Sequence, residues 1–163
     1  MKAKTKLFVG VAAVTIVGTA LATPIVKLTS PLFSVGNQNA DIQQRGKFES
    51  NGEEQFSAVL KTEGPSTVSL QDAAYSAGGQ NGWHSHPGIV IVTVISGSIE
   101  WYDADCKTTI YQAGDSWVEG SQLHAFKVLS NNGAHLSAVF ITAKGQALRT
   151  DRSAPACAAG LGL

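Results

Sequence analysis

Residues Gly78–Gly97 read GGQNGWHSHPGIVIVTVISG and place two histidines directly before an aliphatic run. Residues two apart in a strand point to the same face, so His84 and His86 would face one side, roughly 6.5–7 Å apart along the chain. Imidazole is a common ligand for Zn, Fe, Cu and Ni, so this pair is half of a candidate metal site. Trp83 would point the other way, into the core or a subunit contact.

The rest of the chain after residue 56 continues this β-rich pattern. Short segments rich in β-branched and aromatic residues follow one another, each bounded by Gly, Asn, Asp or Ser: FSAVLKTEG, STVSLQDAAY, GIVIVTVISG, SIEWYDAD, KTTIYQAG, DSWVEG, HAFKVLS and HLSAVFITA. Their spacing of about ten residues indicates an all-β sandwich or barrel in a single domain. Gly97 and Gly114 predict tight turns with positive φ, and Asn132-Gly133 predicts a hairpin.

The two ends of the chain are predicted to lie outside this barrel. Residues 1–22 have three lysines, an apolar core and the small-x-small sequence Ala20-Leu21-Ala22, the pattern of a secretory signal peptide. An uncleaved membrane anchor is the alternative, and either would place the domain outside the membrane, in a secreted or periplasmic location. Residues 23–55 are expected to form an N-terminal linker or edge segment, mostly loop with one short strand around Phe48. Residues 56–145 are then the barrel, and residues 146–163 a C-terminal tail.

The charge of the chain argues against nucleic acid as a partner, and its cysteines suggest an oxidising compartment. Beyond residue 22 the chain has nine basic and 12 acidic side chains, a net charge of −3, which offers no basic footprint for nucleic acid. The only cysteines are Cys106 and Cys157. An even count in an exported protein predicts one disulfide that ties the tail to an upstream loop, with two free thiols as the alternative.

Two motifs in order resemble those of the cupin superfamily. In the first, Gly78 is followed by five residues and then His84-Ser85-His86, and Gly97 closes the motif. The family's glutamate would fall at position 90, where this chain has Val90. In the second, GDSWVEGSQLHAFKVLSNNG, Gly114 and His124 match, whereas the family's proline and asparagine are absent.

The resemblance implies a secreted, single-domain, RmlC-like jelly-roll barrel that lacks the usual glutamate ligand. His84, His86 and His124 are then the implied ligands of a divalent transition metal: Zn, Mn, Cu, Ni or Fe. Three imidazoles with an open position can hold a catalytic metal. A small-molecule ligand would bind at the barrel mouth. Cupins also pair through edge strands or N-terminal segments, so a homodimer is expected, for which PIVKLTSPLF is a candidate segment.

Two further residues come into question near this site. Glu119 is a candidate base, second-shell partner or distant ligand, and the alternative is a residue that caps a turn or faces solvent. His135 follows a turn and is expected at the rim or surface.

Three functions remain open from the sequence. One is a metal-dependent enzyme such as an oxygenase, isomerase or hydrolase. The others are a non-catalytic module that binds a small molecule or a metal, and a metal-free structural cupin.

Overall fold

The computed structural model describes Thr23, residues 25–28 and residues 32–163. In chain order the strands are β1 (Val26–Leu28), β2 (Leu32–Gln38), β3 (Ile42–Ser50), β4 (Glu53–Thr62), β5 (Ser66–Gln80), β6 (His84–Ser85), β7 (Ile89–Ser96), β8 (Ser98–Tyr102), β9 (Thr108–Gln112), β10 (Ser116–Glu119), β11 (Ala125–Val128), β12 (Ala134–Ala143) and β13 (Thr150–Asp151). A short 3-10 helix spans Ala156–Ala158. In the residues described, no helix has the length and apolarity needed to cross a membrane. The predicted signal peptide, residues 1–22, lies outside the described residues.

One sheet of nine strands curls into a nearly closed barrel, which confirms the all-β jelly-roll prediction. Its order is β10-β7-β12-β5-β11-β8-β9, and β1 and β2 also pair with β5. Alternation decides which side chains enter the core: in β7, Val90, Val92 and Val94 are buried while their neighbours point outward. Facing side chains from β11 and β12, such as Phe126 and Phe140, complete the core.

A two-stranded hairpin of β3 and β4 lies outside the barrel sheet. We call residues 42–62 the arm. Its tip is Asn51-Gly52, with φ of 55° and 80°, the two positive values that a type I′ turn requires. The expectation of mostly loop before residue 56 is therefore wrong, because the strand expected around Phe48 is nine residues long and β4 already begins at Glu53.

The predicted hairpin at Asn132-Gly133 is also wrong. The strands that flank it, β11 and β12, pair with different parts of β5 and not with each other. The positive φ values predicted for Gly97 and Gly114 are confirmed, at 81° and 95°. At Gly97 a Cβ would lie 2.3 Å from the carbonyl oxygen of Gly133, so that turn also has no space for a side chain.

The C-terminal tail is fastened to the barrel at two points. The predicted disulfide between Cys106 and Cys157 is present, and it joins the tail to the loop between β8 and β9. Nearer the barrel, β13 pairs with β6, so that Asp151 lies opposite His84. The tail therefore contacts the strand that contains the first two histidines.

Candidate metal centre

Backbone pairing brings three histidines from two segments to one point. His84 and His124 form an antiparallel bridge, with N–H to O distances of 2.9 and 3.0 Å. Opposed residues in such a pair project to the same face, and these two ring centroids are 4.3 Å apart. His86 lies on the same face, with its ring 4.8 Å from that of His84 and 5.1 Å from that of His124. All three are buried.

The Nδ1 atom of each histidine is fixed by a backbone carbonyl. The carbonyl partners of His84, His86 and His124 are Gly82, Leu148 and Gln122, at 2.8, 2.7 and 2.8 Å. A carbonyl only accepts, so in the neutral form of each ring Nδ1 bears the proton and Nε2 has the free lone pair. This is the tautomer of a metal-binding histidine. The Nε2 atoms of His86 and His124 are buried without a hydrogen-bond partner, so a metal ion fits the place they face.

Glu119 supplies a carboxylate that the first motif lacks. The strand β10 pairs with β7 so that Glu119 lies directly opposite Val90, the position where the motif expects glutamate. Opposed side chains share a face, so Glu119 enters the barrel beside the histidines. Its Oε2 lies 3.3 Å from the Nε2 atoms of both His86 and His124. The ligand atoms of the four residues lie within 4.8 Å of one another.

Two indoles hold the other oxygen of this carboxylate. Trp101 and Trp117 each donate their Nε1–H to Oε1 of Glu119, at 2.9 Å. Trp101 also stacks on the ring of His124, with centroids 5.9 Å apart and planes inclined by 19°. The carboxylate is therefore oriented before any ion binds, with Oε2 turned toward the histidines.

The buried surroundings favour the protonation states that a metal requires. Burial, together with the nearby His124 and Arg149, lowers the pKa of His84 to about 3, so this imidazole is neutral at ordinary pH. Burial alone would raise the pKa of Glu119, but the adjacent imidazoles of His124 and His86 and the indole N–H of Trp117 outweigh it and lower that pKa. Neutral imidazole and ionised carboxylate are the forms that coordinate metal ions.

Three of the four residues, His84, His86 and Glu119, border an apolar cavity of about 420 Å³. Its wall is mainly aliphatic and aromatic: Ile25, Leu28, Ala73, Val90, Val92, Phe126, Leu136, Ala138, Phe140 and Leu148. Polar groups are fewer, and Tyr75 is one of them. Burial raises the pKa of Tyr75 to about 12, with Arg149 opposing and Glu119 adding to the shift, so its hydroxyl remains a donor.

The structure brings His84, His86, His124 and Glu119 together, and it separates other residues from them. His135 lies partly exposed on β12 and is outside this group. Trp83 is fully buried and packs against Tyr102 behind the site, in the core position predicted for it. The sequence did not indicate Leu148, whose carbonyl holds His86, because a backbone contact 62 residues away leaves no motif.

The family model described as Cupin domain matches residues 72–142. This range includes all four residues of the site and most of the barrel strands. By this match, residues 72–142 form a cupin domain. No curated protein matches it.

Solved structures with a similar fold include an oxalate oxidase, an oxalate decarboxylase variant and an RmlC-like cupin. An oxalate oxidase is 20% identical with a TM-score of 0.42, covering 47% of this chain and 42% of its own. A variant of oxalate decarboxylase from Bacillus subtilis is 20% identical with a TM-score of 0.43, covering 52% and 24%. An RmlC-like cupin from Shewanella frigidimarina is 19% identical with a TM-score of 0.41, covering 48% and 68%. This chain thus spans less than half the length of the first two.

Proposed function

We propose that this cupin is an exported protein that holds a divalent transition metal on His84, His86, His124 and Glu119, and that it binds a small molecule in the adjoining cavity. The observation that supports the metal most directly is the pair of buried, unpartnered Nε2 atoms on His86 and His124, both facing the carboxylate of Glu119. The disulfide is compatible with an oxidising compartment and supports the export part of the proposal.

The ligand atoms of the site indicate the class of metal ion and not its identity. Three imidazoles and one carboxylate suit Zn, Mn, Fe, Ni or Cu better than Ca or Mg, which prefer oxygen ligands. The carboxylate of Glu119 offsets one of the two positive charges of such an ion. The first motif implied three histidine ligands and no carboxylate. The proposed site has the same three histidines and, in addition, the carboxylate of Glu119.

The cavity favours a ligand with an apolar body and a single oxygen-bearing head group. Hydrocarbon surface gains about 25 cal/mol for each Å² that leaves water, and most of this wall is apolar. A small, doubly charged ligand would lose hydration here with few polar partners, because the guanidinium of Arg149 is already paired with Asp151 and with the carbonyl of Asn81. Among the residues that line the cavity, Tyr75 could donate a hydrogen bond to the head group.

The arrangement suits two uses of this ligand. A bound divalent transition metal supplies Lewis-acid polarisation of a ligand oxygen. The cavity wall would orient the apolar body of the ligand and exclude water. Glu119 is not free to serve as a mobile base, because two indoles hold its carboxylate. A metal-dependent enzyme and a non-catalytic binding module both fit, and the absence of a second free carboxylate or lysine among the lining residues favours the binding module.

Elemental analysis of the purified protein tests the metal. We expect about one divalent transition metal per chain, lost in the double variant His84→Ala, His86→Ala. His135→Ala is the matched control, because it removes the one histidine outside the site and should keep the metal. A chain without metal after reloading, or equal metal in all three proteins, would contradict the proposal.

Calorimetric titration of the metal-loaded protein with acetate, butyrate and hexanoate tests the cavity. Affinity should rise about 15-fold with each added pair of CH₂ groups, because each buried CH₂ contributes about 0.8 kcal/mol. Ala138→Phe, which fills the cavity wall, should abolish this trend, whereas Ala104→Phe in an exposed loop should not. Equal affinity for all three acids would exclude an apolar ligand while leaving the metal site intact.

A further inference from the structure

The arm has one apolar face and one charged face. Opposed residues of an antiparallel pair share a face, and Phe48 lies opposite Phe56. The apolar face consists of Ile42, Phe48, Phe56, Ala58 and Leu60, together with Gln44, Gly46 and Thr62. The opposite face has the charges, including the ion pairs Arg45–Glu54 and Lys47–Glu49 at 2.8 and 2.6 Å.

A bulge in the arm preserves this separation. The register shifts between Phe48 and Glu49, so Glu49 pairs with Glu54 instead of continuing the earlier alternation. Without the shift, Glu54 would lie on the apolar face beside Phe56. With it, Glu54 lies on the face of Arg45 and pairs with that guanidinium. The arm is therefore patterned as a strand pair with one side to be buried.

That side is uncovered in the described part of the chain. The rings of Phe48 and Phe56 are both 60% exposed, and Leu60 is 40% exposed. An isolated two-stranded hairpin is marginally stable in water, and a hydrophobic face needs another element to pack on. The apolar face of the arm thus requires a covering surface.

The barrel has an apolar outer surface of similar shape. On β7, the outward side chains of Ile89, Ile91 and Ile95 are about half exposed, although the inward ones already fill the core. Val118 on the adjacent β10 is 64% exposed. We call Ile89, Ile91, Ile95 and Val118 the outer strip. Apolar residues on both faces of a strand indicate that both faces are covered.

A groove of about 440 Å³ separates the root of the arm from the outer strip of the same chain. Val59 and Leu60 line one side of it, and Ile89, Ile91 and Val118 line the other. All five remain substantially exposed, so the arm does not cover the strip of its own chain.

The cupin resemblance already implies a homodimer, and we propose the contact that forms it: each chain places the apolar face of its arm on the outer strip of a second copy, in a two-fold symmetric pair. The nine-residue β3 makes the arm about 30 Å long and its two strands make it about 10 Å wide. The eight-residue β7 and the paired β10 give the strip a length of about 26 Å and the same width of two strands. Two such contacts would bury on the order of 1,200 Å² in total, the lower end for a stable interface. A two-fold pair covers both arms and both strips at once. A different protein would instead need one surface that fits the arm and another that fits the strip.

Sedimentation velocity of the mature protein over micromolar concentrations tests this inference. We expect a dimer for the wild type and at least tenfold weaker association for Phe48→Glu, Phe56→Glu on the arm and for Val118→Glu on the strip. The matched control is Gln43→Glu, Ser57→Glu, which adds the same two carboxylates to the charged face and should leave the dimer intact. Unchanged metal content in each variant would show that the barrel is folded and keeps this test independent of the proposed function.

Mixing the two weakened variants distinguishes the arrangement from other dimers. The arm variant keeps its strip and the strip variant keeps its arm, so the mixture regains one of the two contacts and should associate more tightly than either alone. A strip variant that still dimerises by itself would indicate arm-to-arm pairing and overturn the proposal. A wild-type monomer at these concentrations would also overturn it, because the arm would then be covered by another partner.

Discussion

At the scale of single residues, Val90 and Glu119 show how a neighbouring strand can supply the carboxylate that a motif lacks. Val90 occupies the position where the family's first motif has glutamate, and Glu119 faces it across the ladder between β7 and β10. Opposed side chains in adjacent strands are about 5 Å apart, so a carboxylate on either strand reaches the same ion. The glutamate at 119 then needs orienting partners, which Trp101 and Trp117 provide.

Glu119→Gln should weaken metal binding by at least about tenfold, the lower range for changes near a metal ligand. The amide keeps the size of the carboxylate and still accepts from the indoles, but it loses the negative charge that faces the ion. Competition with a chromogenic chelator measures the change in dissociation constant. Glu53→Gln, at an exposed position on the arm, is the control and should bind metal like the wild type. Equal affinity in the two variants would remove Glu119 from the ligand set.

His84 predicts a pH dependence for the stability of the metal-free protein. Its pKa falls from 6.5 to about 3 on folding, chiefly through burial. Below pH 6.5 the unfolded chain binds a proton that the folded chain does not, so the free energy of unfolding falls as the pH decreases. Each pKa unit corresponds to about 1.4 kcal/mol, so the loss reaches several kcal/mol near pH 3.

Urea unfolding in the presence of a chelator, from pH 7 to pH 5, measures this slope. Over this range His84→Gln should flatten the curve, whereas His135→Gln should not. Glu119 adds a loss of the same sign only at lower pH, because its unfolded pKa is 4.5 and its folded pKa is lower. A wild-type curve that is flat between pH 7 and pH 5 would contradict a neutral, buried His84.

At the scale of elements, the C-terminal tail contacts and positions the segment that contains His84 and His86. The carbonyl of Leu148 holds His86, and Arg152 donates its backbone N–H to the carbonyl of Trp83 at 2.9 Å. Between them, β13 pairs with β6. The disulfide of Cys106 and Cys157 keeps this tail against the barrel, together with the packing of Ala158, Leu161 and Leu163 on the cluster of Trp83 and Tyr102.

Replacing both cysteines by serine should therefore have two effects. The free energy of unfolding should fall by about 4 kcal/mol, the chain-entropy value for a loop of this length. Metal affinity should also fall, because the carbonyl that fixes the tautomer of His86 becomes less well ordered. Urea unfolding and chelator competition measure the two effects, with Lys107→Ala, beside Cys106, as the control. A loss of stability with unchanged metal affinity would show that the tail holds His86 without the disulfide.

At the scale of the whole molecule, the sequence predicts what depends on spacing along the chain and misses what depends on register between strands. Alternation placed His84 and His86 on one face and located the barrel strands from β5 to β12. Alternation within one strand does not predict which residue of the next strand lies opposite, so Glu119 remained only a candidate. Asn-Gly occurs at several places, and the turn geometry it favours forms at Asn51-Gly52, where the flanking strands pair, and not at Asn132-Gly133. The arm was not predicted as a strand pair, because its few apolar side chains are spread over two strands and lie among polar residues.

Metal binding should stabilise the entire barrel, because the ligands come from distant parts of one cooperative fold. His84 and His86 precede β7, Glu119 ends β10, and His124 precedes β11, so unfolding separates the donors. An ion that binds only the folded state at 100 times its dissociation constant adds about 2.7 kcal/mol to the free energy of unfolding. Calorimetry with and without the metal should show one transition that moves upward as a unit, and the shift should vanish in His124→Ala but persist in His135→Ala. A shift retained in His124→Ala, or one confined to part of the transition, would mean that the ion binds elsewhere than at the four residues that bridge these strands.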